Sequence, residues 1–202
     1  MYAREAVKRT LERMTGFGVP SPAILRAAVR SRRPQTFLFK DDAKIPNNPT
    51  LPLICYRKVA RLTGVADPAA VFEELFAQNG WGDSWRDGIY RFAHYHSGIH
   101  EVLGIVRGHA RVRFGGDDGK TLTLVTEDVV VLPAGTGHQR LSSSHDLLVV
   151  GAYASGGHYD ECAAAAENHS AAVEAIAAVP LPDRDPVYGA DGPLLDLWAG
   201  RP

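Results

Sequence analysis

Between Gly88 and Tyr153 the sequence falls into six short apolar or alternating stretches, at residues 90–96, 101–106, 110–114, 122–125, 129–132 and 147–153. The gaps between them carry turn-forming residues and no helical crossover, the clearest being Gly115-Gly116-Asp117-Asp118-Gly119, a hairpin loop by composition. Parallel strands need a crossover of a dozen or more residues, so strands spaced like these pair antiparallel. The expected fold is therefore an all-β core, closed as an antiparallel barrel or sandwich. No internal repeat is visible, which makes it one barrel and not a tandem pair.

Flanking segments add to this core. Residues 36–39 and 51–59 read as two further strands joined by the rigid Ile45-Pro46-Asn47-Asn48-Pro49, and they would leave an exposed edge suited to a homodimer. Asp67-Pro68 supplies an N-cap and an N1 proline ahead of Val71, Phe72, Leu75 and Phe76, with Gly80 as the stop of that helix. Trp81-Gly82-Asp83-Ser84-Trp85 reads as packing between this helix and the barrel. Residues 159–179 are alanine-rich and predict a helix, and the Pro/Gly-rich tail from Pro180 is expected to wrap the surface. The domain division is a basic N-terminal extension over 1–34, helical or partly disordered, and a single domain over 35–202 with its core at 88–153.

Charge separates the same two parts. Residues 1–34 carry eight Lys/Arg and two acids, whereas the remainder carries 14 basic and 21 acidic residues. A basic arm can bind nucleic acid or an anionic surface, or act as an Arg-rich targeting segment; the acidic body argues against nucleic acid as a main partner. The bland reading is a peripheral extension, with short helices over 3–14 and 22–29 and with Met14 a second candidate start. No apolar run approaches the roughly 18 to 20 residues of a membrane-spanning helix, and the N-terminus lacks the apolar core of a secretory signal. Two cysteines, Cys55 and Cys162, cannot build a disulfide scaffold or a thiolate metal site; they suit a cytoplasmic protein and read as small buried residues.

Seven of the eight histidines lie between positions 94 and 158. His94 and His96 are two apart, so a strand projects both to one face with Tyr95 opposite. Glu101 opens the next strand with Leu103 and Ile105 on its own face, and His138, after Pro133-Ala134-Gly135-Thr136-Gly137, can supply a third imidazole from the opposite wall. Three imidazoles and a carboxylate suit one divalent ion of iron(II), manganese, nickel or zinc better than calcium or magnesium. Four protein ligands on an octahedral ion leave two positions for water, substrate or dioxygen. The competing reading is a metal-free barrel whose polar interior is satisfied by mutual hydrogen bonds. His100, of opposite parity, is expected outward or behind the site, and His109, His145, His158 and His169 in solvent. Tyr90 and Arg140 are the candidate substrate-binding residues, with Trp85 near the same barrel mouth; Arg140 shares parity with His138 and a guanidinium can grip a carboxylate bidentately. A structural role competes for each of these three, and no residue identifies itself as a catalytic acid or base.

At these residues a resemblance becomes specific. GIYRFAHYHSGIHEVLGIVRG, residues 88–108, matches the first cupin motif G(X)5HXH(X)4E(X)6G at each fixed position. EDVVVLPAGTGHQRLS, residues 127–142, resembles the second, G(X)5PXG(X)2H(X)3N, keeping Pro133, Gly135 and His138 but with Glu127 and Ser142 at its ends. FLFKDDAKIPNNPTLPLICYR, FEELFAQNGWGDSWRDGIY and DPVYGADGPL look like the bacterial YjlB-like cupins, so the resemblance extends over residues 36–194. It implies a cupin-type jelly-roll barrel with added N-terminal strands and a few flanking helices, a metal held by His94, His96, Glu101 and His138, and frequent dimerisation. Function follows by analogy only. The leading expectation is a mononuclear metal-dependent enzyme acting on a small organic acid, enol or polyol, with dioxygenase-type oxidation first. The alternatives are a non-catalytic small-molecule or sugar-binding cupin and a cupin isomerase or decarboxylase.

Overall fold

The computed structural model describes residues 20–165, 167 and 169–199. The helix expected over 3–14, with Arg4, Lys8, Arg9, Arg13 and Met14, lies outside them. In chain order the elements are α1 (Pro22–Ala28), β1 (Gln35–Phe37), β2 (Leu53–Tyr56), α2 (Pro68–Gln78), β3 (Trp81–Asp87), β4 (His94–Tyr95), β5 (Glu101–Arg107), β6 (His109–Phe114), β7 (Lys120–Val125), β8 (Val129–Leu132), β9 (His138–Ser143), β10 (Leu148–Ala154), β11 (Cys162–Ala163), α3 (His169–Ala178) and α4 (Pro193–Trp198). They form two antiparallel sheets, a six-stranded one in the order β1-β2-β8-β5-β10-β3 and a five-stranded one in the order β11-β4-β9-β6-β7. Few strands that neighbour in space neighbour in sequence, and the two sheets close as a jelly roll.

The sheets differ in what covers them. Leu103, Ile105 and Val130 of the six-stranded sheet meet Val112, Phe114 and Leu124 of the five-stranded one, which is the barrel interior. Alternate residues of the same six strands, among them Val102, Val131 and Val150, pack outward under Phe72 and Phe76 of α2. The six-stranded sheet is thus buried on both faces, and β8 accordingly reads Val-Val-Val-Leu with no alternation. β6 does alternate, because its outer face meets solvent. At Gly104 a Cβ would stand 2.8 Å from the Phe72 ring, so glycine is what lets α2 lie against the sheet. α2 starts at Asp67, whose carboxylate accepts from the Ala69 amide at 3.2 Å.

Several expectations need correction. The strand expected over 90–96 is confined to β4, since the chain bends at Arg91 and Phe92 and is tied to β9 before that bend by the Arg140 amide on the Tyr90 carbonyl (2.8 Å). The Trp81–Asp87 segment is a full edge strand, with a register shift opposite Gly151 and Tyr153 and a positive φ of 49° at Asp83. β9, His-Gln-Arg-Leu-Ser-Ser, was not expected as a strand. The helix expected over 159–179 begins only at His169, because Asp160 is bonded back to the Ser97–Gly98 turn and Cys162 and Ala163 pair with β4. The tail is no surface wrapping: Val187, Leu194 and Trp198 are buried in the outer core. Its anchor is Asp185, fully buried, which accepts from the Val187, Tyr188 and Leu194 amides at 2.8, 3.0 and 3.2 Å and from the Tyr56 hydroxyl. α1, grouped by composition with the basic extension, buries Leu25 and Ala28 in the same core. No helix among the described residues is long and apolar enough to cross a membrane.

Candidate metal centre

Three elements deliver the polar cluster to one end of the barrel. β4 and the residue after it turn His94 and His96 to the interior and Tyr95 outward, where Tyr95 packs with Ile45 and Ala172. Gly135 (φ 90°) makes the turn that lets β9 begin at His138; a Cβ there would sit 2.9 Å from the Asn47 carbonyl. His138 pairs directly with His94 across the β4–β9 ladder, their ring centroids 4.0 Å apart. Glu101 opens β5 and pairs with Tyr153 of β10 on the other sheet. All four are buried.

The imidazoles are aimed. Nδ1 of His94 donates to the Phe92 carbonyl and Nδ1 of His138 to the Thr136 carbonyl, each at 3.2 Å, and Nδ1 of His96 donates to the Asp160 carbonyl. A carbonyl only accepts, so each ring carries a proton on Nδ1, and in its neutral form presents the Nε2 lone pair. One ligating nitrogen from each of the three rings lies within 4.8 Å of the others. Glu101 Oε2 stands 3.4 Å from His138 Nε2 and 3.7 Å from His96 Nε2, and it has no hydrogen-bond partner among the described residues. Burial pushes the Glu101 carboxyl up to about 7, against the pull of His96 and the Tyr153 hydroxyl. Burial also lowers His94, and burial with the neighbouring His94 and His96 holds His138 well below the usual histidine value. His94 and His138 are therefore held neutral, as metal ligation requires. A carboxylate oxygen buried without a hydrogen-bond partner beside the imidazoles of His96 and His138 is costly, and a divalent cation held by the three histidines would offset that cost. The donor set fits one.

Above the cluster opens a cavity of about 620 Å³. Tyr90 and Trp85 line it, as do Tyr153 and Tyr159, which sequence reasoning missed. Tyr153 accepts from Trp85 Nε1 at 3.0 Å, and burial together with Glu101 and Tyr159 raises its phenol. Arg140 is not among the lining residues: its Nε donates to the Ile89 carbonyl (2.8 Å) and its Nη1 to Ser143 Oγ (2.7 Å), so it braces the segment that leads into His94. His100 faces the outer core, not solvent; it packs on Trp198 at 4.7 Å, and its Nδ1 accepts from the Ala134 amide at 2.9 Å. His109, His145 and His158 are exposed, and His169 pairs with Asp41 at 2.8 Å. The other residue missed is Asp160. Its carboxylate takes the Ser97 amide at 2.9 Å, the Ser97 hydroxyl at 2.5 Å and the Gly98 amide at 3.1 Å, while its carbonyl orients His96.

Two antiparallel sheets in this order, carrying the HXH and PXG motifs at the mouth of one barrel, place the chain in the cupin superfamily. Over 167 residues it is 40% identical to the uncharacterised protein YjlB of Bacillus subtilis (strain 168), a match that spans 83% of this chain and 98% of YjlB. No family model matches the chain. Among solved structures it overlaps an acireductone dioxygenase from Bacillus anthracis with a cadmium ion in its active centre, at 18% identity over 43% of this chain and 59% of that one, with a TM-score of 0.32. It overlaps a DUF861 family protein from Thermotoga maritima at 22% identity over 40% of this chain and 84% of that one, with a TM-score of 0.28. Overlaps this partial say nothing of activity, which is left to the side chains themselves.

Proposed function

We propose that this cupin is a mononuclear metal-dependent enzyme in which His94, His96, His138 and Glu101 hold one divalent ion, iron(II), manganese, nickel or zinc, beside a small enol, polyol or organic acid, with dioxygenase-type oxidation as the leading chemistry. The observation that carries the reading is the grouping of one ring nitrogen from each of His94, His96 and His138 within 4.8 Å of one another, beside a Glu101 oxygen that has no hydrogen-bond partner among the described residues. The ion, when bound, supplies Lewis acidity and, if redox-active, one-electron chemistry. The chain does the rest. Carbonyls at Phe92, Thr136 and Asp160 fix the imidazoles, and the aromatic wall excludes water. Tyr153 and Tyr159, whose phenols burial raises, keep their protons at neutral pH and line the cavity as neutral hydroxyls, not as bases. The same reading takes the protein to be cytoplasmic, which its two free thiols suit, and a homodimer joined at the exposed β1 edge of the six-stranded sheet. Light scattering then returns twice the 21.9 kDa chain mass.

Elemental analysis of protein purified without tag or chelator, followed by oxygen uptake after iron(II) reconstitution, tests the reading. About one ion per chain is expected, with loss of stoichiometric metal in Glu101→Ala and His96→Ala while the barrel stays folded. Full occupancy in either variant removes that residue from the ligand set, and metal without oxygen uptake moves the chemistry to a non-oxidative class.

A further inference from the structure

His100 stands outside the cluster of four and is turned away from it. It precedes Glu101, and extended backbone sends the two side chains to opposite faces, Glu101 toward the histidines and His100 into the outer core, where it is 1% exposed. The Trp198 ring backs it at 4.7 Å, and that indole is itself fixed by donating from Nε1 to the Pro52 carbonyl at 2.9 Å. Packing against Trp198 asks only for an apolar side chain. The imidazole instead leaves Nε2 buried and without a hydrogen-bond partner among the described residues, which is a cost that leucine in its place would avoid. What the ring adds lies at its other nitrogen.

Nδ1 accepts from the Ala134 amide at 2.9 Å. β5 and β8 pair as far as Glu101 opposite Leu132, and the next residue, Pro133, has no N–H to extend the ladder. The Ala134 amide is the first donor beyond that proline, and His100 takes it in place of a backbone carbonyl. This fixes the neutral ring with its proton on Nε2, the reverse of His94, His96 and His138. Ala134 opens the turn that leads to His138, and the turn is held along its length. The Ala134 carbonyl accepts from Asn48 Nδ2 at 3.2 Å, the Gly135 amide donates to the His96 carbonyl at 2.7 Å, and the Gly137 amide donates to Asn47 Oδ1 at 3.1 Å. Of these bonds, the one at Ala134 Nδ1-side ties the turn to the segment that carries Glu101. His138 Nε2 and Glu101 Oε2 are 3.4 Å apart, and the His100–Ala134 bond spans the two segments that set that distance.

We infer that His100 is a positioning residue of the metal centre: by accepting the Ala134 amide it locks the turn before His138 to the start of β5, so that metal affinity depends on the acceptor at Nδ1 and not on the bulk of the ring. The inference rests on the metal-centre reading and adds to it a residue that touches neither ion nor substrate.

The test loads the full-length parent, His100→Asn, His100→Leu and His100→Gln with cobalt(II), and follows affinity by chelator competition, coordination by the visible absorption of the bound cobalt, and folding by urea melts. Asparagine carries an acceptor oxygen where Nδ1 stood, leucine carries a methyl group there, and glutamine carries its oxygen one bond further out. The leucine and glutamine variants are expected to lose about tenfold in cobalt affinity with altered visible bands, and the asparagine variant to stay within about threefold of the parent with the parent's spectrum. All three lose the ring's contact with Trp198, so a purely structural role would weaken them alike. A leucine variant with the parent's affinity and spectrum, or an asparagine variant that loses as much as leucine, overturns the positioning role while leaving the four ligands intact. If the leucine variant does not fold, the asparagine and glutamine variants decide by the same criterion, equal affinity in the two overturning the role. A parent chain that takes up no cobalt overturns both the role and the metal centre.

Discussion

Asp160 works with both halves of its structure: the carbonyl holds the His96 proton, and the carboxylate pins the turn that follows His96. Burial opposes its charge, but the bonds from Ser97 and Gly98 hold the carboxyl below its ordinary range. Removing that carboxylate releases the turn on one side and the carbonyl on the other. Asp160→Ala is therefore expected to lower metal affinity by roughly 10- to 100-fold, the usual cost of losing a residue that orients a ligand, with the far-ultraviolet circular dichroism unchanged. Chelator competition measures it. Nothing in the local sequence marks this aspartate, because its position is set by a chain return from β10 that no spacing rule encodes. His94, His96, Glu101 and His138 were legible for the opposite reason: strand parity and a short turn fix where they point, and both are written in neighbouring residues.

At the level of elements, the β7–β8 turn joins the outer strands to the N-terminal segment through Glu127. Its φ of 76° is one a glycine would adopt freely, and a glycine is what the second cupin motif has there. The side chain offsets that strain. Its carboxylate pairs with Arg30 Nη1 at 2.8 Å and accepts from the Leu62 amide at 3.2 Å, and its carbonyl accepts from the Val59 amide at 3.0 Å. Partial burial raises the carboxyl, but Arg30 and the Leu62 amide outweigh it and hold the group below its ordinary 4.5. A depressed carboxyl stabilises the fold above its unfolded value and loses that contribution as pH falls through the folded one. Wild type is thus expected to exceed Glu127→Gln by on the order of 1 kcal/mol at pH 7 in denaturant melts, and the gap closes as pH drops below about 4.5.

The fit of α2 to the sheet gives a second measurement. Gly104→Ala puts a methyl group 2.8 to 3.0 Å from the Phe72 ring, closer than packed carbons approach, and is expected to cost about 1 to 3 kcal/mol. Adding Phe72→Leu to that variant should recover part of the loss, since the two sites share one contact. These strands and α2 were readable because burial on one or both faces stamps apolar residues into them. β9 and β3 were not. β9 carries His-Gln-Arg-Leu-Ser-Ser with one face in solvent, and β3 is an edge strand with Gly82 and a left-handed Asp83, so neither has the β-branched content that signals a strand.

Over the whole molecule, stability is concentrated on one side. The six-stranded sheet lies between the barrel interior and a second apolar layer built from α1, α2 and the C-terminal tail, and Asp185 fastens that tail. Asp185→Ala leaves the Tyr56 hydroxyl and three amides without their acceptor in a fully buried place, and is expected to cost about 2 to 4 kcal/mol. Trp198 emission should shift to the red as α4 loosens, before the barrel itself unfolds. The tail's prolines and glycines pointed to a surface course; the apolar residues between them, Val187, Leu194 and Trp198 above all, decide the outcome.

Tyr159, which shapes the cavity, and Asp160, which steadies His96, are joined by one peptide bond. A substitution, insertion or graft that remodels one displaces the other. Under the proposed function, ligand choice and grip on the metal are consequently not independent variables. A lineage drifting toward a bulkier substrate, or an engineer selecting for one, moves both together, and a change confined to a single trait must come from a lining residue that neither touches nor adjoins the histidine cluster, such as Trp85.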